Sequence, residues 1–219
     1  LGRKIGPDPA SVNAAKIGGI AANNASGMCC GTARNSYRTV AGMRVVLADG
    51  RVLDTRDPDS IAAFRAARGD LLDGLAGLVR RTRADAALAD RIREKFRIKN
   101  TTGYSLNALV DYEDPVAVLE HLMIGSEGTL GFISEITYRT VVEDARTATA
   151  LLFFADVDAA VDAVVSLRQA PVRAVELIDR AGLASVAGKP GVPGMVADLP
   201  ERATALLVEV GAADAGELA

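Results

Sequence analysis

The chain has 219 residues, of which 49% are hydrophobic and 24% charged, a mixture that fills a core and excludes a disordered polymer. The net charge is −3, and no stretch concentrates enough Lys and Arg to track a phosphate backbone, which excludes a nucleic-acid partner. The longest apolar run, Ala150 to Ala155, is strand-sized and far short of the ~18 residues of a membrane span.

Residues 1–47 are turn-rich. Gly6-Pro7-Asp8-Pro9 cannot lie inside a helix, because proline fixes φ and lacks a donor. Ile17 to Gly31 is uncharged and dense in Gly, Ala, Asn and Ser. Such a stretch serves either as a cradle that lets backbone N–H groups approach a ligand or as a structural turn, and composition leaves both open. It is not the GxGxxG fingerprint of a Rossmann site. Gly42 to Thr55 reads as a hairpin with Asp49-Gly50 as a two-residue turn.

A helical region then begins with Ser60 as cap. Leu71, Leu72, Leu75, Leu78 and Val79 fall at helical spacing, and Arg80, Arg81 and Arg83 close the run as a solvated face. Leu88, Ile92 and Phe96 mark a second helix, Lys99–Gly103 a polar loop, and Val116–Met123 a short helix. Gly125-Ser126-Glu127-Gly128-Thr129-Leu130-Gly131 reads as tight turns before a strand over 132–142. Phe132, Ile136 and Tyr138 are expected on one face of that strand, with Glu135, Thr137 and Arg139 on the other.

The polar stretch 143–147 marks a boundary, giving domains over 1–145 and 146–219. Beyond it, the pattern reads as a strand (151–154), a helix with Val157, Val161, Val164, Val165 and Leu167 on one side, a strand (174–178), a short helix (180–186) and a strand (205–210). That is an α+β arrangement, a partial ferredoxin-like sandwich.

Cys29 and Cys30 are adjacent, too close for an ordinary disulfide, and read as small buried thiols of a reducing, cytoplasmic compartment. His121, the one histidine, reads as a structural or surface residue rather than a base. Arg34 and Arg38 read as surface cations or phosphate partners. Asp179 reads either as a helix-start cap or as part of a motif.

Five segments stand in a familiar order: Pro7–Ser11, Ile17–Asn24, Val45–Gly50, Lys99–Tyr104 and Gly125–Gly131. Together they resemble the FAD-linked oxidases with a PCMH-type FAD-binding domain, in the branch acting on D-lactate, glycolate and D-2-hydroxyglutarate. Met28–Gly31 and Asn35–Tyr37 look most like the large bacterial members that carry an iron–sulfur module elsewhere. Glu176–Arg180 is similar to a motif of the family's C-terminal (cap) domain.

The resemblance implies the C-terminal part of a PCMH-type FAD-binding domain followed by the start of a ferredoxin-like cap. It implies FAD as cofactor, contacted by Pro9, Ser11, Gly18, Gly19, Asn24, Ser26 and Gly27 and by Glu127, Gly128, Gly131 and Ile133. The implied chemistry is hydride transfer from a small 2-hydroxy acid to flavin, with an electron acceptor the residues do not name. The family's catalytic residues, its divalent metal ligands and any iron–sulfur cluster are expected outside this segment, as is the loop that grips the pyrophosphate. The segment by itself is then expected to be inactive and flavin-poor, with exposed strand edges that favour a homodimer and a membrane association that is at most peripheral. Ala25-Ser26-Gly27 departs from the family's Ala-Gly-Gly. A flavin-free ligand- or protein-binding module on the same frame is the competing reading.

Overall fold

The computed structural model describes residues 2–214 and 216. The chain divides into two compact units, Arg3–Val141 and the residues from Val142 onward together with Gly2.

The first unit carries, in order, β1 (Arg3–Lys4), α1 (Ile17–Asn23), α2 (Ser36–Thr39), β2 (Val40–Val46), β3 (Val52–Asp54), α3 (Pro58–Ala67), α4 (Gly69–Ala84), α5 (Ala86–Lys95), α6 (Ala108–Asp111), α7 (Pro115–Met123) and β4 (Phe132–Tyr138). A two-residue strand, β5 (Val141–Val142), follows. The sheet has order β3-β2-β4, antiparallel throughout. Its apolar face joins helices α3, α4, α6 and α7 in one core, where Met43, Leu53, Met123 and Ile124 are fully buried. Truncating any of these four to Ala would cost about 2–5 kcal/mol.

Several expectations are corrected here. Between Leu47 and Arg51 the turn joining β2 to β3 spans three residues, not two. Gly50 N–H donates to Leu47 O and Leu47 N–H to Arg51 O, both at 2.9 Å, and Gly50 takes φ +82°. This is a type I turn closed by a left-handed glycine. The helix cap is Asp57, whose carboxylate accepts from the Asp59 N–H, while Ser60 Oγ instead accepts from the Asp54 N–H at 3.0 Å. The helical region also breaks at Arg68, giving α3 and α4. Arg83 is no solvated residue. Its guanidinium donates to the carbonyls of Leu109, Val110 and Tyr112, at the C-terminal end of α6, and pairs with Glu113 at 2.8 Å.

The strand expected over 132–142 is interrupted after Tyr138, and its faces differ from simple alternation. Arg44 lies opposite Glu135 but the next residue, Val45, lies opposite Ile133. Ser134 is therefore an extra residue, a bulge whose hydroxyl donates to Arg44 O at 3.0 Å. The bulge turns both Ile133 and Ile136 towards the core and leaves Phe132 69% exposed on the other side.

The second unit runs β6 (Arg146–Phe154), α8 (Val157–Leu167), β7 (Val172–Ile178), α9 (Arg180–Val186), a 3-10 turn (Gly194–Asp198) and β8 (Thr204–Ala212). Sheet order is β6-β8-β7, with β8 antiparallel to both neighbours. This is a split β-α-β unit. One sheet face packs Leu206 and Val208 against α8, and the other packs Ala205 against Leu183 of α9 and Val196. On α8 the residues turned to the sheet are Ala160, Ala163, Val164 and Leu167. The expected single valine face is thus split. Ala160 allows close approach to the sheet, and Val157, Val161 and Val165 are left exposed.

Candidate functional site

The two glycine clusters, a hundred residues apart in sequence, meet. Helix α1 ends at Asn24, which takes the left-handed conformation (φ 52°) and returns its N–H to the carbonyls of Ile20 and Ala21. The last carbonyls of α1 then receive the second cluster: Glu127 N–H donates to Ala22 O at 2.9 Å and Gly125 N–H to Ala21 O at 3.3 Å. Asn23 Nδ2 donates to Glu127 Oε1 at 2.6 Å. Glu127 itself sits at φ 52°, flanked by Gly125 and Gly128 at positive φ. The helix end and the turn therefore form one backbone-stitched corner.

Beside that corner lies a cleft of about 450 Å³ lined by Gly18, Gly19, Glu127, Gly128, Gly131 and Ile133, with Lys16, Ala22 and Phe132. Six of the eleven expected site residues come together here. The glycines leave the floor free of side chains. A Cβ at Gly18 would stand 3.0 Å from Ile133 O, whereas one at Gly19 would meet nothing within 4 Å and would point into open space. Phe132 and Lys16 were not among the expected site residues. Phe132 is brought to the cleft by the Ser134 bulge, which leaves no trace in hydrophobic periodicity.

The other five expected residues lie elsewhere. Asn24 is buried, and its Oδ1 has no hydrogen-bond partner among the described residues. It lines a polar recess of about 20 Å³ with Asn35, Tyr37, Asn107 and others, room for one water. Asn107 Oδ1 is likewise unpartnered among the described residues. Ser26 is held through its carbonyl, which accepts from Lys99 Nζ at 3.0 Å. Gly27 is packed so tightly that a Cβ would fall 2.0 Å from Asp8 O. Pro9 is buried, its carbonyl accepting from Val12 N–H at 2.8 Å, while exposed Ser11 accepts from the Ala14 and Ala15 N–H groups.

The remaining candidates resolve as structural. His121 is 5% exposed, stacked on Tyr112 at 3.9 Å between ring centroids and edge-on to Tyr37 at 4.9 Å, with Nδ1 bonded to Ala117 O at 2.8 Å. Burial holds its pKa below the ordinary value. Tyr37 donates to Asp111 at 2.9 Å, and Arg38 pairs with the same carboxylate at 3.6 Å. Burial and the Asp111 charge together push the Tyr37 hydroxyl far up. Burial also raises the Cys30 thiol, which disfavours a thiolate. Asp179 caps α9, accepting from the Gly182 N–H at 2.7 Å. Among the described residues no three His, Cys, Asp or Glu side chains converge as a metal site. No helix there is long and apolar enough to cross a membrane.

Residues 1–56 match the model of the FAD binding domain, and residues 143–219 match that of the C-terminal domain of FAD linked oxidases. A D-2-hydroxyglutarate dehydrogenase of Pantoea ananatis is 33% identical over 133 residues, 59% of this chain and 13% of that protein. A probable mitochondrial D-lactate dehydrogenase of Danio rerio is 29% identical over 167 residues, 75% of this chain and 24% of that protein. The chain thus spans a quarter or less of these two relatives. Among solved structures, an alkyldihydroxyacetonephosphate synthase aligns over 96% of this chain and 32% of its own, with TM-score 0.56 and 15% identity, a likeness of fold. Two parts of the chain thus match the two domains of the FAD-linked oxidases, and its α+β fold runs from the end of the FAD-binding domain into the FAD-linked oxidase C-terminal domain.

Proposed function

We propose that this chain supplies one wall of the FAD site in a dehydrogenase that oxidises a D-2-hydroxy acid. The observation that carries the reading is the corner where α1 meets the Gly125–Gly131 turn. There, two glycine clusters line one cleft, and a Cβ at Gly19 would meet nothing within 4 Å. The residues present fit an extended, partly flat cofactor. Gly18, Gly19, Gly128 and Gly131 let it lie against backbone, Ile133 and Phe132 give apolar contact, and Glu127 and Lys16 stand at the cleft as charged neighbours. FAD, when bound, supplies the hydride acceptor for converting the hydroxy acid to an oxo acid. This chain's part is to hold and orient it, through a corner whose backbone hydrogen bonds fix the cleft's shape. The D-2-hydroxy acid rests on the names of the two relatives above. Catalytic and metal ligands are assigned to sequence outside this segment, as the family resemblance implies. Domain limits of 1–145 for the cofactor domain and 146–219 for the cap belong to the same proposal.

Gly19→Val in the full-length protein tests it. The expected result is a folded protein that has lost flavin absorbance near 450 nm. Full flavin occupancy in the variant overturns this placement of the cleft. A flavin-free wild-type protein overturns the function itself in favour of a binding module.

A further inference from the structure

Two helices of this chain present apolar lines edged by charge of opposite sign. On α5 and its C-cap, exposed Leu88, buried Ile92 and half-buried Phe96 repeat every four residues along a cleft of about 380 Å³ completed by Tyr104 and Leu106. Leu88, Tyr104 and Leu106 are each more than 40% exposed. Arg91 and Lys95, one helical turn apart, edge this line. Neither has a carboxylate partner among the described residues, whereas their neighbours Arg93 and Arg97 pair with Asp90 and Glu94. On α8, Val157, Val161 and Val165 form an exposed ridge with the same four-residue repeat. Asp158 and Asp162, also one turn apart, edge it, and no salt bridge among the described residues uses either. No cation lies between Val157 and Leu167.

We propose that α5 of one copy of this chain docks against α8 of a second copy, the valine ridge seating in the Leu88–Ile92–Phe96 cleft and Arg91 and Lys95 facing Asp158 and Asp162. Ridge-into-groove packing needs the matched repeat, and burial of the apolar lines supplies the driving force. The charges set orientation. Viewed from each N-terminus, the cations of α5 lie on one side of its apolar line and the carboxylates of α8 on the opposite side of theirs. The two charged edges therefore meet only when the helices run in the same direction, as opposite flanks meet in parallel coiled coils. Used reciprocally, the contact closes a dimer; used once, it propagates.

Sedimentation velocity of the 219-residue chain, from micromolar to millimolar, tests this. Wild type is expected to self-associate, more weakly as salt rises. Arg91→Glu with Lys95→Glu, and separately Asp158→Lys with Asp162→Lys, should each raise the dissociation constant about tenfold or more. Mixing the two double variants should restore association, since each then meets a complementary edge, and that recovery also shows both are folded. A wild-type chain monomeric throughout, association indifferent to salt, or reversals without effect would each overturn the proposal.

Discussion

Asn23 and Glu127, 104 positions apart, are joined by a 2.6 Å hydrogen bond from amide to carboxylate. It closes the corner formed by the end of α1 and the glycine turn that follows α7, and it lies beside the cleft assigned to FAD. Because the pair is exposed, its worth to overall stability is small, about 1 kcal/mol or less. Its worth to the cleft is larger, because it holds Glu127 in the left-handed conformation that shapes the turn.

Glu127→Ala should therefore lower flavin affinity in the full-length protein while moving the urea midpoint little. Glu127→Gly removes the same carboxylate but relieves the positive φ, so it should be the more stable of the two. Flavin titration and chemical denaturation of both variants read this directly. Equal flavin affinity in wild type and both variants would remove Glu127 from the site.

Gly19 and Gly27 should answer oppositely to alanine. Gly19→Ala adds a methyl in open space on a helix and should stabilise the fold by about 0.5–1 kcal/mol. Gly27→Ala would force a methyl into the Asp8 backbone and should destabilise by about 2 kcal/mol or more. Thermal melts of the pair separate the roles. A mild Gly27→Ala would mean that the Asp8 segment moves aside easily.

Stability should fall on mild acidification, and His121 should be the cause. Burial holds its pKa below 6.5, so the folded state resists a proton that the unfolded chain accepts. This contribution is intact above about pH 6.5 and is lost as the pH falls from there to the lower folded value. Neighbouring Glu120 works in the other direction. Burial raises its pKa above 4.5, so the cost of its carboxylate is relieved as the pH falls through the raised value. His121→Phe keeps a ring against Tyr112 and cannot take up the proton. Urea midpoints at about pH 7.5 and about pH 5.5 should then drop for wild type and hold or rise for the variant. Equal slopes would assign the acid sensitivity elsewhere.

Asp156 caps α8 by accepting from the Ala159 N–H at 3.1 Å. Asp156→Ala should cost about 0.5–2 kcal/mol, and Asp156→Ser should recover most of it. Hydrogen exchange along α8 localises the effect. Protection that stays unchanged through the first turn would show that the cap contributes nothing.

Much of the fold is legible because its signals are local. The periods of α5 and α7, the Asp49-Gly50 turn and the strand–helix alternation after residue 146 all lie within a dozen residues. The glycine clusters stand out for a different reason: uncharged small residues have little to do in a core. What sequence patterning leaves out is set by tertiary partners. Helix α1, built from weak helix formers, ends where Asn24 and the distant Glu127 turn engage its last carbonyls. Gly27 is chosen by the approach of Asp8, a packing demand that looks in sequence like one more cofactor-facing glycine. The valines of α8 split between sheet and solvent according to where Ala160 lets the helix settle.

The bulge at Ser134 makes one strand of the cofactor unit sensitive to length rather than to residue type. Many side chains would serve at position 134, since it is exposed and gives only one hydroxyl bond to Arg44 O. Removing the position would restore strict alternation and rotate one end of the strand by half a turn. Either Ile133 would leave the core and Phe132 enter it, or the pairing with β2 would slip. Related chains should therefore vary freely in identity at this point and admit neither a gain nor a loss of a residue between Phe132 and Ile136.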